Sequence, residues 1–151
     1  MSKKSSVPAW AYNRDSQSRF AMVYWDMLVS KEYKALPNAA KTMYIACLAN
    51  RSSEKGRACL KKHVIEELHD RIPNADSALE TVELHTYMDK NSGYFVMPAK
   101  QAEEYGIKRQ HAHCLLKILC DRGFIKTAES NQHRRKVNVY QFIGMWKNRI
   151  P

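Results

Sequence analysis

The chain has 151 residues, 44% hydrophobic and 26% charged. At that size it buries roughly 70% of the surface its unfolded form exposes, so one domain holds together without disulfide or metal. Twenty-five Lys and Arg stand against fifteen Asp and Glu, leaving +10, a balance that attracts polyanions through counterion release, with nucleic acid ahead of acidic membrane. The composition excludes a disordered or fibrous chain.

The charge is unevenly placed. Residues 1 to 36 carry six basic and three acidic groups, residues 37 to 93 eight and eight, and residues 94 to 151 eleven and four. Most of the excess therefore lies in the last third of the sequence. The N-terminal stretch lacks the apolar core of a secretory signal, and no run of about eighteen apolar residues spans a bilayer. A cytoplasmic protein without membrane contact is expected. Cys47, Cys59, Cys114 and Cys120 form no CxxC pair, so buried free thiols are expected rather than a disulfide framework.

In chain order, residues 1 to 19 read as a flexible basic arm carrying Trp10 and Tyr12. Phe20 to Leu28 is an apolar run that packs on the core as a short helix or extended segment, and Ser30 to Leu36 reads as a polar link. A helix begins at Leu36-Pro37-Asn38, with Pro tolerated in the first turn or Asn as cap. Its stripe is Ala39, Ala40, Met43, Tyr44, Cys47 and Leu48. Asn50 to Arg57, polar and containing Gly56, is expected to break it as a loop. Helical spacing resumes from Cys59 to Ile72 through Leu60, Val64, Ile65 and Leu68. A further helix runs from Ala75 to Met88, capped by Asp76 or Ser77, with Leu79, Val82, Leu84 and Met88 as its apolar positions.

Tyr94 to Met97 is a short β-prone run, and Pro98 opens a brief helix through Ala99, Ala102 and Tyr105. Gly106 supplies the left-handed backbone that ends it, and Ile107 anchors the turn. Over Lys108 to Asp121, Ala112, Leu115, Leu116 and Leu119 recur at helical spacing as one buried stripe. Lys108, Arg109, Gln110, His111, His113 and Lys117 fall mostly outside it. After Arg122-Gly123, the runs Phe124 to Thr127 and Val137 to Ile143 form a hairpin across the polar residues Ala128 to Lys136.

The succession Gly106-Ile107, Ala112, Leu115-Leu116, Leu119 and Arg122-Gly123-Phe124-Ile125 resembles the winged helix-turn-helix superfamily over about fifty residues. The earlier Leu28-Val29-Ser30, Tyr33, Leu36-Pro37-Asn38-Ala39-Ala40-Lys41 and Tyr44, with the strand Val137 to Phe142 and Trp146, are similar to N-terminal domains of plasmid and phage replication initiators. The resemblance implies a mainly α fold with a small β-hairpin, a winged helix-turn-helix with a two-helix insertion. Residues 20 to 151 would be one domain, with the insertion over 51 to 93 and the strand, helix-turn-helix and wing over 94 to 143. It departs from the pattern in the length of that insertion and in Lys108, which stands where Ser or Thr usually caps the recognition helix.

Double-stranded DNA is then the expected partner, and a replication initiator or regulator of a bacterial mobile element the expected role. Placed in the major groove, Arg109 and Gln110 can bond guanine and adenine edges in bidentate fashion. Lys108, His111, His113 and Lys117 suit phosphate or mixed contacts. His133, Arg134, Arg135 and Lys136 near the hairpin tip suit backbone or minor groove. The competing reading is a protein interaction or dimerisation module, in which the neutral segment 51 to 93 docks a second copy or a replication protein. No P-loop, Gly-x-Ser-x-Gly or His-Glu-x-x-His motif is present, so no enzyme, cofactor or small-molecule substrate is expected. Six His and four Cys show no zinc-type ligand pairing, although Cys59 and His63 share a helix face and His111, His113, Cys114 and Cys120 lie close. RNA would need exposed aromatics on a sheet.

Overall fold

The computed structural model describes residues 23 to 89, 92 to 130 and 137 to 143. The expected N-terminal arm, the hairpin-tip residues His133 to Lys136 and Trp146 lie outside the described residues. Seven helices, a 3-10 turn and three strands are described: α1 Trp25–Leu28, α2 Lys31–Lys34, α3 Asn38–Ser52, α4 Glu54–Arg71, α5 Ser77–Met88, β1 Tyr94–Val96, α6 Ala99–Ala102, the 3-10 turn Glu103–Tyr105, α7 Arg109–Asp121, β2 Ile125–Glu129 and β3 Val139–Phe142. The chain is mainly helical with one small antiparallel sheet of order β1-β3-β2. No helix among the described residues is long and apolar enough to cross a membrane.

Two expected connections are instead helical. Ser30 to Leu36 contains α2, because Ser30 acts as a cap: its Oγ accepts from Tyr33 N–H and donates to the Met27 carbonyl at 2.6 Å. Asn50 to Arg57 is not a loop, since α3 continues through Ser52 and α4 starts at Glu54. Ser53 alone separates them, and its Oγ takes the Gly56 N–H at 3.0 Å. The polar composition that suggests a loop is that of a helix cap. In the apolar run before them, Met27 is buried while Tyr24, Trp25 and Leu28 are exposed.

The sheet divides the core. Side chains alternate across a strand, so Phe95 and Tyr140 face Met43, Cys47, Leu116, Leu119 and Phe124, the layer built by α3 and α7. Val96 and Val139 face the other way, onto Leu60 and Val64 of α4 with Leu84, Tyr87 and Met88 of α5 half-buried around them. Phe95 and Phe142 stack at 4.4 Å between centroids, and Tyr44 meets both Phe142 and Phe124 edge-on at 5.6 and 5.5 Å. Such pairs add about 1 kcal/mol each beyond the area they bury.

The stripe of α3 runs through Ala40, Met43, Tyr44, Ala46, Cys47 and Asn50; Ala39 is exposed and Leu48 half-buried. On α5 the expected stripe is only half used. No α5 residue is fully buried, and Leu79 and Val82 point outward at 41% and 61% exposure. Asp76 caps the helix by accepting from Leu79 N–H at 2.9 Å.

Cross-links between α4 and α5 stand near their turn: Arg71 to Glu83 at 2.9 Å and His69 Nε2 to Glu80 Oε2 at 2.6 Å. The Glu80 hydrogen bond is the largest influence on His69 and raises its pKa above the ordinary 6.5. A raised histidine pKa stabilises the fold fully below its unfolded value and loses that contribution as pH climbs through the folded one. The melting-temperature gap between wild type and Glu80→Gln should therefore be widest near about pH 6 and close toward about pH 8. A gap independent of pH would contradict the pairing.

Candidate nucleic-acid interface

The segment from Ala99 to Asp121 is built around one turn. Gly106 has φ 81°, where a side chain is strained by roughly 1–2 kcal/mol, and Gly106 N–H and Ile107 N–H close the turn onto the Glu103 and Ala102 carbonyls at 3.1 and 3.2 Å. Ile107 is buried at 6% exposure and fixes the turn to the core. The chain then enters α7 at Lys108, whose side chain makes no capping bond.

The sides of α7 are sharply different. Ala112, Leu115, Leu116 and Leu119 are buried, whereas Lys108, Arg109, Gln110, His111, His113 and Lys117 are all exposed. At about 100° per residue, Gln110, Cys114 and Lys117 lie along the middle of the exposed side, with Arg109 and His111 on its two flanks. Cys114 is thus an exposed thiol at the centre of the face, contrary to the expectation of buried cysteines. Only Cys47 is buried among the four, and burial pushes its thiol pKa well up. Period-3.6 reasoning places Cys114 there; a default for cysteine composition conceals it.

Charge grades along the helix. The first turn of α7 has no acidic residue, so its positive dipole end adds to Lys108 and Arg109. Asp121 ends the exposed side at the far end. The positive charge is therefore concentrated on the N-terminal half. Exposed Arg122 and Lys126, both absent from the expected set, continue the basic surface beyond the helix. Arg109 is held by Glu103, Nε to Oε1 at 2.5 Å; an exposed pair of this kind contributes at most about 1 kcal/mol, so phosphate or base edges can displace it. Arg109 and His113 also line a groove of about 210 Å³ beside Met97 and Tyr140.

Among the described residues no group of three or more His, Cys, Asp or Glu could hold a metal ion. His63, sharing a helix with Cys59, is turned instead to Glu129 at 2.7 Å. Glu104 is paired with Lys55. His133, Arg134, Arg135 and Lys136 lie outside the described residues, between two strands that are described. Those strands do pair: Ile125 stands opposite Phe142 and Thr127 opposite Tyr140.

Compared with known protein families, curated proteins and solved structures, the chain matches none.

Proposed function

We propose that this chain is a sequence-specific double-stranded DNA-binding protein of winged helix-turn-helix type, a replication initiator or regulator of a bacterial mobile element working in the cytoplasm. The observation that carries the reading is the sidedness of α7: four apolar residues sunk into the core and six polar or basic ones, Lys108 to Lys117, facing out together. The short helix before Gly106, the angle-setting turn and the β1-β3-β2 sheet behind α7 agree with it. So does the concentration of positive charge in residues 94 to 151.

In this reading α7 enters the major groove, Arg109 and Gln110 reach base edges, and Lys108, His111, His113 and Lys117 take phosphates. The basic hairpin tip, His133 to Lys136, lies on backbone or minor groove. Selection of bound sequences from a random duplex pool gives the preferred site. Against that site Arg109→Ala and Gln110→Ala should each cost about 1–3 kcal/mol, and cost little on unrelated duplexes. Arg134→Ala and Arg135→Ala should weaken all duplexes alike and flatten the salt dependence. The reverse pattern would overturn the assignment.

A second reading draws on the outward Leu79 and Val82 of α5. Apolar groups there suit a docking or dimer surface within the neutral segment 51 to 93. If it is the main function, Val82→Asp abolishes self-association seen by sedimentation, while duplexes remain unbound by both proteins.

A further inference from the structure

We propose that α4 and α5 position the β2–β3 hairpin through a clasp in which His63 and Tyr87 hold Glu129; its functional consequence rests on the DNA-binding reading above. Three observations converge on it. His63 is 4% exposed, one of three buried polar residues among those described, and its Nε2 lies 2.7 Å from Glu129 Oε2. The Tyr87 hydroxyl donates to the other carboxylate oxygen at 3.1 Å. One helix thus supplies each contact.

The third observation is a bulge. Thr127 pairs with Tyr140 and Glu129 with Val139, two residues of β2 against one of β3. In regular pairing Ala128 would oppose Val139, and Glu129 would share the face of Thr127 and Tyr140, toward α3 and α7. The extra residue turns Glu129 to the face of Val139, where α4 and α5 pack. A carboxylate reaches the helical pair only because the strand is irregular there.

The clasp is well made for holding. The Tyr87 phenol is pushed up to about 12, by burial first and the Glu129 carboxylate next, so it stays a donor. Its ring rests on Tyr94 of β1 at 4.8 Å. Glu129 is the last residue of β2, and His133, Arg134, Arg135 and Lys136 follow shortly in the sequence. Fixing Glu129 ties the last residue of β2 to α4 and α5. The two-helix segment is thereby given work at the hairpin root, as a set of positioning residues that need not touch DNA.

Amide hydrogen exchange on the full chain tests this. In Glu129→Ala, exchange over residues 125 to 142 should rise about tenfold while α3 and α7 keep wild-type protection. Glu129→Gln, which keeps an acceptor for Tyr87, should restore most of it. Unchanged exchange over 125 to 142, or an equal rise in α3 and α7, would overturn the clasp. Should Glu129→Ala fail to fold, Tyr87→Phe leaves the ring in place and should raise the same exchange about threefold; no rise there is equally fatal. With a duplex that wild type binds, Glu129→Ala should lower affinity about tenfold and flatten the salt dependence. A loosened hairpin with affinity and salt slope intact would refute its role in binding. If wild type binds no duplex, the DNA reading fails by itself, and exchange alone decides the clasp.

Discussion

Gly56→Ala is expected to lower the melting temperature by about 10 °C, from a loss of about 3 kcal/mol. Helix propensity alone gives the opposite sign, since Ala in a helix interior is favoured over Gly by about 1 kcal/mol. Space decides against it. A Cβ at Gly56 would stand 2.0 Å from the Asn50 carbonyl oxygen and 3.0 Å from Ser53 Oγ. The oxygen is backbone, and it already accepts Ser53 N–H at 3.1 Å and Ser53 Oγ at 2.9 Å. Relief requires parting α3 from α4 at their single-residue junction. Thermal unfolding of the variant checks this, and a melting temperature equal to or above wild type would contradict the close approach.

Asn50 is the second position of large effect. It is 0% exposed, and both hydrogens of its amide are used. Nδ2 donates to the Val96 carbonyl at 2.9 Å and to Gln101 Oε1 at 2.8 Å, while Oδ1 accepts from Tyr105 Oη at 3.2 Å and lies 3.1 Å from Ser53 Oγ, whose single proton it shares with the Asn50 backbone carbonyl. One side chain therefore joins the α3–α4 junction, β1 and the helical turn that delivers the chain to Gly106 and α7. Asn50→Leu keeps the volume and should cost about 3 kcal/mol, chiefly through the Val96 carbonyl left without a donor. Asn50→Asp should be worse at neutral pH, because an ionised carboxylate would face two acceptor oxygens in a dry site. Denaturant unfolding ranks the three proteins. An aspartate variant as stable as the leucine one would mean that the amide is not oriented by Val96.

These two residues also mark where sequence reading stops. Asn50 and Gly56 belong to a stretch, Asn50 to Arg57, whose composition suits a loop, yet Asn50 and Ser53 spend their polar groups on bonds inside the fold. Such use depends on partners far along the chain, Val96 and Tyr105, and local composition does not carry it. The α7 stripe was legible because Ala112, Leu115, Leu116 and Leu119 repeat with the period of the helix and have a single face to bury. Gly106 was legible because few other residues tolerate its backbone. The start of α3 at Pro37-Asn38 and the pairing of β2 with β3 followed from local signals too.

Parity was not legible. Whether Glu129 faces α3 or α4 turns on one inserted residue in β2, and alternation alone puts it on the wrong side. Likewise Leu79 and Val82 have helical spacing, but spacing identifies a stripe without saying that a partner in the same chain covers it. On the candidate interface the exposed basic residues of α7 followed from the same periodicity that gives its core. Cys114 is exposed there because its position on the helix, and not the usual burial of cysteine, decides which way it faces.

Binding of duplex DNA by the folded wild-type chain is read directly by fluorescence polarisation of labelled duplexes at two salt concentrations. The expected result is binding at low salt that weakens steeply as salt rises, by about a thousandfold from 50 to 200 mM if six or more phosphates are contacted. Folded protein that leaves every duplex unbound at low salt would contradict the DNA-binding reading.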